Sequence, residues 1–420
     1  MDILRIQGGV PIHGETRVYG AKNAALPILA ATVMVAGTCV IEDVPELEDV
    51  RVMMQILEQL GARVRWSGPG AVEVDASSIG STNVPADLMQ RMRSSIFLMG
   101  PLLARFGEVT ISKPGGCVIG QRPIDYHLHG MRQLGAKIDE QHGYIKCTAR
   151  RLHGTSITLD FPSVGATENL MMAATLADGV TTIENAAREP EVEDLAQFLM
   201  AAGASIEGAG SDTVTIRGCS TLHGHSYCIV PDRIVTGTLM VAAAATRGEV
   251  TILGARPSHL GAIIQKLRDT GVRVDVQRDI ITVKCEAPPR AVDFRTAPFP
   301  GFPTDLQAPF MALLTKSTGT GVIHESVFEA RFKHVDELKR MGADVAVDMR
   351  TAVVRGVSSL SGARVTASDL RGGAALLVAA LMADGTTEVD GVHHIDRGYQ
   401  SIEQQLSTLG ARIERVVIES

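Results

Sequence analysis

Six segments of the chain share one ending, and no other feature limits its possible folds as strongly. They read LEQLGARVRW, MRQLGAKIDE, LMAAGASIEG, LRDTGVRVDV, LKRMGADVAV and LSTLGARIER. Each is an amphipathic helix pattern that stops at glycine and passes into an alternating strand. The glycines are Gly61, Gly135, Gly203, Gly271, Gly342 and Gly410, at intervals of 74, 68, 68, 71 and 68 residues. The mean interval, about 70 residues, is one sixth of the 420-residue length, so six units fill the chain.

A second signature precedes each ending: an Ala/Leu/Met-rich helix, a glycine and a short strand. It appears as ALPILAATVMVAGTCVIED, FLMGPLLARFGEVTIS, NLMMAATLADGVTTIEN, TLMVAAAATRGEVTILG, APFMALLTKSTGTGVIHE and ALLVAALMADGTTEVDG. Glycine stands where the residue after a helix must turn left-handed. An apolar helix followed by a more amphipathic one predicts an α/β architecture of two domains with three units each. Inner helices are walled by sheets and outer helices, as in an inverted, barrel-like α/β fold. The last unit ends at ARIERVVIES without the second hairpin strand that units two to five possess. The N-terminal ILRIQGGVPIHG is similar to VTIRGCSTLHG of the third unit, so residues near Ile3 to Gly8 are expected to supply that strand. Residues 22–230 then form one domain, and residues 1–21 with 231–420 the other. A cleft between such domains is a common ligand site.

Composition narrows the function classes. The chain has 40 Lys+Arg against 47 Asp+Glu, a formal net charge of −7, and 4% aromatic residues. It lacks the basic excess and stacking surfaces that bind nucleic acid. The six cysteines, at 39, 117, 147, 219, 228 and 285, form no CxxC pair or zinc spacing, which fits a reducing, cytoplasmic setting. The opening Met1-Asp2-Ile3-Leu4-Arg5 is not a signal peptide pattern, and the uncharged stretch from Asn23 to Ile41 is broken by Pro27 and Gly37, so no membrane insertion is expected. Nothing in the sequence sets an oligomeric state.

Chemistry is sought where the units differ. In YGAKNAALPILAA, Lys22 and Asn23 open a helix whose free N–H groups favour an anion, although a surface lysine and a capping asparagine fit equally. In SKPGGCVIGQRPIDYHLHG, Gly115, Gly116 and Gly120 surround Cys117, with Arg122 just beyond. This reads as a mobile lid with a reactive thiol, or as a turn with an inert cysteine. His127 and His129 lack the acidic neighbours of a metal site. In TAPFPGFPTDLQAPF, Asp305 precedes an apolar helix and is either an ordinary cap or a general base. Arg331, Arg371 and Arg397 fall at comparable edges of the last two units. Each alone fits a solvated surface; with Lys22, Arg93 and Arg122 they suit a small polyanion.

At these residues the chain resembles the enolpyruvyl transferase family, over essentially its whole length, and most closely the branch acting on UDP-N-acetylglucosamine. GAKNAALPILAA, PGGCVIGQRPIDYH, SVGAT, FPTDLQA, the DLR around Arg371 and HIDRGY stand in the family's order and spacing. The resemblance implies two domains of threefold repeats and transfer of enolpyruvate from phosphoenolpyruvate, at the entry to peptidoglycan synthesis. It puts Lys22, Arg122 and Arg397 around the phosphate, Arg331 and Arg371 toward the carboxylate, and Asn23 and Asp305 facing the amino sugar. Arg93, Arg122, Pro123, Ile124, Asp125, Tyr126, Ser163, Val164, Gly165 and Val327 would hold the nucleotide sugar. Cys117 resembles the family's mobile-loop proton donor, and Asp369 would assist a later proton transfer. No metal or organic cofactor is implied. In one departure, Phe161-Pro162 follows Asp160 where some members carry a lysine on the uridine side, and the resemblance leaves that one contact open.

In the implied reaction the sugar 3′-hydroxyl attacks C2 of phosphoenolpyruvate while C3 gains a proton, and phosphate then leaves the resulting ketal. A carboxylate accepts the hydroxyl proton, the role of Asp305. A thiol, with an ordinary pKa of about 8.5, is still protonated at neutral pH and can serve as acid, the role of Cys117. The cationic groups offset the repulsion of two anionic substrates. Two alternatives stay open. The shikimate-phosphate branch lacks the PGGC loop and has serine after the first lysine; a non-catalytic nucleotide-sugar-binding homologue shares the fold without the chemistry.

Overall fold

The computed structural model describes residues 2–113 and 124–417, with only the backbone of Arg93. Cys117, Arg122 and Pro123 therefore lie outside the described residues, as does the side chain of Arg93. The described chain divides into two compact units, residues 2–19 with 231–417 and residues 20–113 with 124–230.

In the first unit, three apolar helices, Arg233–Ala245, Gln307–Leu314 and Leu370–Met382, pack against one another. Every residue of Gln307–Leu314 is buried. Helices that are apolar all round can lie only in a core. Small residues let them approach: a Cβ on Gly237 would sit 2.4 Å from a methyl of Leu306. The outer helices, Gly261–Asp269, Val335–Arg340 and Ile402–Thr408, bury one face only. The second unit repeats the plan with inner helices Lys22–Ala31, Met99–Phe106 and Val164–Thr175, and outer helices Glu48–Leu60, Asp125–Gln133 and Pro190–Ala201. The sheets are separate and none closes into a barrel among the described residues.

The five four-stranded sheets among the described residues share one order, and the sheet of Glu108–Ser112, Tyr144–Thr148 and Lys137–Gln141 follows it without the short parallel strand. A short strand runs parallel to the strand after the inner helix, which pairs antiparallel with the second hairpin strand, which pairs with the first. Phe294–Arg295, Thr320–His324, Thr351–Arg355 and Asp344–Asp348 follow this order. In the sheet of the last repeat, the place of the second hairpin strand is taken by the N-terminal strand Asp2–Gln7, antiparallel to both Thr386–Asp390 and Arg412–Val417. This is the strand missing from the sixth unit. Ile3, Leu4 and Ile6 on it are fully buried. Burial of three such side chains contributes about 5 to 9 kcal/mol, comparable with the roughly 5 to 15 kcal/mol that holds a domain folded. Deleting residues 2–7 is therefore expected to abolish the cooperative unfolding of this unit; an unchanged melting transition by calorimetry would contradict the pairing.

The six repeat glycines explain their own recurrence. Gly61, Gly135, Gly203, Gly271, Gly342 and Gly410 all have φ between 90° and 111°, the left-handed region open to glycine at little cost. The second glycine series is less uniform than its sequence suggests. Gly37, Gly107, Gly179, Gly319 and Gly385 have positive φ, but in the fourth unit Arg247 takes the left-handed conformation, at φ 54°, and Gly248 does not. Gly248 is needed for another reason: a Cβ there would lie 1.9 Å from the carbonyl oxygen of Ile12.

Candidate active site

The first unit gathers three of the residues singled out in sequence. Asp305 lies in the short turn Thr304–Leu306 that leads into the helix Gln307–Leu314, and Pro303 and Leu306 occupy the cap positions on either side. Its carboxylate accepts from Arg331 Nη2 at 2.7 Å through Oδ1 and from Arg371 Nη2 at 2.9 Å through Oδ2. The helix-cap alternative for Asp305 is thereby set aside. The surface alternative for the arginines also fails, since Arg331 is 4% and Arg371 6% exposed. Two buried guanidiniums converging on one carboxylate present planar, bidentate donors of the kind that receive an anion.

Arg371 is held from behind. Its Nη1 donates to Tyr399 Oη at 3.3 Å, and Tyr399, 1% exposed, pairs with Thr238 Oγ1 at 2.9 Å. Burial opposes the charge on Arg371, yet Asp305, Tyr399 and Asp232 outweigh it and keep its pKa above the ordinary arginine value. Asp369 is the cap of the helix Leu370–Met382, its Oδ1 accepting from the backbone N–H groups of Arg371 and Gly372 at 2.9 Å. It therefore fixes the backbone from which Arg371 projects. Arg397, half-buried, follows the short helix Val392–Asp396. Burial, then His393 and Arg397, lowers the pKa of His394, with Asp369 acting against them. His334, 2% exposed, is pushed down to about 4, by burial first and also by Arg331, so it stays neutral near pH 7.

In the second unit Lys22 is the first residue of the helix Lys22–Ala31 and Asn23 the second. Lys22 Nζ donates to Asp49 Oδ2 at 3.1 Å; the side chains are 12% and 4% exposed. Asp49 comes from the neighbouring helix Glu48–Leu60 and locks the ammonium near the helix N-terminus. Ser163 caps the helix Val164–Thr175, its side chain accepting from Ala166 N at 3.4 Å, so Val164 and Gly165 lie in an N-terminal turn suited to an anionic or carbonyl group. This helix packs on Asp125–Gln133, the helix that Ile124 caps and in which Asp125 and Tyr126 are the first residues. A Cβ on Gly165 would lie 3.5 Å from His127, whose Nδ1 is 3.0 Å from Asn169 Nδ2. Asn169 Oδ1 accepts from Gly100 N, which orients the amide so that Nδ2 donates to the ring. Phe161, two residues before Ser163, is 38% exposed.

One turn beyond Gly165, Glu168 is fully buried, and neither carboxyl oxygen meets a hydrogen-bond partner among the described residues. Burial, reinforced by Glu191 and Glu189, pushes its pKa well above the ordinary value of 4.5. The folded chain then keeps a proton that the unfolded chain loses above about pH 4.5, so this group's contribution to stability is full below that pH and is lost as pH rises. Replacement by glutamine removes the dependence. The stability of Glu168→Gln relative to the parent is expected to grow between pH 5 and pH 8, by up to roughly 1.4 kcal/mol per pH unit. Urea titrations at both pH values check this, and a constant difference would contradict it.

Several of these groups carried no signal in sequence. Asp49 sits in ELEDV, where acids in a first helical turn are ordinary. Glu325, in HESVF, resembles a loop acid, although its carboxyl group is fully buried. Tyr399 was visible in HIDRGY, but nothing local says that its hydroxyl supports Arg371.

Residues 6–406 match the EPSP synthase (3-phosphoshikimate 1-carboxyvinyltransferase) family, and the chain belongs to that family of carboxyvinyl transferases. Within it, a UDP-N-acetylglucosamine 1-carboxyvinyltransferase 2 of Caldanaerobacter subterraneus is 52% identical over 418 residues, 99% of this chain and 100% of that protein. A UDP-N-acetylglucosamine 1-carboxyvinyltransferase of Desulfosudis oleivorans is 49% identical over 416 residues, with 99% and 100% covered. Among solved structures, the enolpyruvyl transferase NikO from Streptomyces tendae superposes with a TM-score of 0.91 at 29% identity, covering 100% of this chain and 99% of that one. EPSP synthase from Acinetobacter baumannii shares the fold at a TM-score of 0.77 and 19% identity, with 99% and 100% covered. These likenesses support the α/β fold of repeated units expected from the sequence.

Proposed function

We propose that the chain transfers the enolpyruvyl group of phosphoenolpyruvate to the 3′-hydroxyl of UDP-N-acetylglucosamine and releases phosphate. The observation that carries this reading is the Asp305–Arg331–Arg371 cluster in a chain 49–52% identical, over nearly its full length, to two proteins named for that activity. Lys22, Arg122 and Arg397 take the phosphate, and Arg331 and Arg371 the carboxylate, of phosphoenolpyruvate. Asn23 and Asp305 face the amino sugar; Arg93, Arg122, Pro123, Ile124, Asp125, Tyr126, Ser163, Val164, Gly165 and Val327 hold the nucleotide sugar.

The chemistry follows from competition for donors. A substrate carboxylate presented to Arg331 and Arg371 takes up N–H groups that otherwise serve Asp305. The carboxylate of Asp305 is then available to accept the proton of the attacking hydroxyl. Cys117 delivers a proton to C3 as the C2–O bond forms; C3 then gives a proton back to the Cys117 thiolate, with Asp369 assisting, as the bond from C2 to the phosphate oxygen breaks and phosphate leaves. The fixed cationic groups stabilise the charge that gathers on the phosphate and carboxylate oxygens. Within this reading the protein works in the cytoplasm at the first committed step of peptidoglycan synthesis, and so serves cell-wall growth, cell shape and division. No helix among the described residues is long and apolar enough to cross a membrane.

Phosphate release tests the assignment. It is expected with phosphoenolpyruvate plus UDP-N-acetylglucosamine and absent when shikimate 3-phosphate replaces the nucleotide sugar. Equal turnover of both acceptors would reject the choice of substrate.

A further inference from the structure

The carboxyl group of Glu325 is fully buried and joins two segments that the proposed reaction uses. Its Oε1 accepts from Val327 N at 2.8 Å, Phe328 N at 3.1 Å and Thr296 Oγ1 at 2.9 Å. Its Oε2 accepts from Thr304 Oγ1 at 2.9 Å, on the residue immediately before Asp305. Thr296 Oγ1 in turn accepts from Ser326 N at 2.9 Å, and Arg350 Nη1 donates to Ser326 O at 3.1 Å. The segment Ser326–Phe328 is thus held along its backbone, and Arg331 lies 5.4 Å from the ring centroid of Phe328 while it donates to Asp305. A buried carboxyl group is costly unless its oxygens are satisfied, and here all four bonds come from groups that fix one segment against the other.

We propose that Glu325 is a positioning residue for this reaction. Its two oxygens set the distance between the backbone of Val327–Phe328, which borders the nucleotide sugar, and the turn that carries the base Asp305. The proposal rests on the functional reading above. It also gives the Thr304 hydroxyl a role: among the described residues, this is the side-chain bond by which Glu325 reaches the turn of Asp305.

The test compares phosphate release and nucleotide-sugar KM for the wild-type protein, Thr304→Val, Glu325→Gln, Glu325→Ala and the double variant. Thr304→Val cuts only the Oε2 link, so kcat is expected to fall about 10-fold or more while KM for UDP-N-acetylglucosamine stays within about twofold. Glu325→Ala also frees Val327 and Phe328, so KM rises about 10-fold in addition to the loss in kcat. Glu325→Gln keeps an oxygen for the backbone N–H groups and an amide donor for the Thr304 hydroxyl, and is expected to recover kcat to within about fivefold of wild type. The double variant should be no worse than Glu325→Ala, because both act through one link. A merely structural role would lower the melting temperature and leave both kinetic constants of the folded protein unchanged, and that result would overturn the proposal. Should Glu325→Ala not fold, the kcat of Thr304→Val decides alone. A wild-type protein without turnover would overturn the functional reading and this proposal with it, whereas normal wild-type turnover beside kinetically silent variants overturns this proposal only.

Discussion

Asp305→Ala is expected to lower turnover about 10²- to 10⁴-fold while the nucleotide sugar still binds, the range lost when a general base is removed. The structure adds a second expectation with the opposite sign. Arg331 and Arg371, both buried, lose the carboxylate that accepts from them at 2.7 and 2.9 Å. Their donors then meet the substrate carboxylate without competition, so the affinity for phosphoenolpyruvate should rise rather than fall. Isothermal titration with each substrate, beside the phosphate-release rate, separates the two effects. Near-wild-type turnover would remove Asp305 from the mechanism. Weaker binding of phosphoenolpyruvate with lost turnover would mean that Asp305 organises the arginines instead of competing for them.

The second large effect is covalent. Epoxides of the fosfomycin type are expected to alkylate Cys117 and abolish turnover, and the nucleotide sugar should accelerate the reaction. This expectation comes from the family resemblance of PGGCVIGQRPIDYH, since Cys117 and Arg122 lie outside the described residues. The remaining thiols give it contrast. Cys39, Cys147 and Cys285 are buried, and burial raises the pKa of all three, that of Cys147 to about 11. Nucleophilic attack needs the thiolate, so these three are poor competitors. Cys228 is exposed and Cys219 partly so, and they are the sites at which adventitious labelling would appear. Peptide mass mapping with and without the nucleotide sugar distinguishes these outcomes. Adducts at Cys219 or Cys228, or a rate indifferent to the sugar, would defeat the assignment of Cys117.

What could be read in the sequence was whatever depends on local backbone geometry repeated six times. A glycine that must adopt positive φ after each outer helix leaves its mark at a fixed interval, and a strand missing at one end of the chain is visible as an unmatched hairpin. Arg247 shows the limit of such reading. The motif TRGEV looks like the others, but the left-handed residue is Arg247, one place back, and Gly248 is needed instead for the close approach of Ile12. The candidate site was legible as motif residues, Lys22, Asp305 and Arg371 among them, of which the fold brings Asp305 and Arg371 together. Its supports were not. Asp49, Glu325 and Tyr399 act through contacts with residues remote in sequence, and each has a local sequence that an ordinary surface or core residue would also have. Asp305 itself shows why: before a helix its type predicts a cap, and only the positions of Arg331 and Arg371 show that its oxygens are engaged elsewhere.

Enolpyruvyl transfer to the sugar 3′-oxygen is tested most directly by the fate of isotope-labelled phosphoenolpyruvate. With UDP-N-acetylglucosamine present, the label should appear in an enolpyruvyl ether at the 3′-position of the sugar, with an equivalent amount of phosphate released, and shikimate 3-phosphate should remain unlabelled. Phosphate released without the ether, or label carried onto shikimate 3-phosphate as readily as onto the nucleotide sugar, would contradict the account.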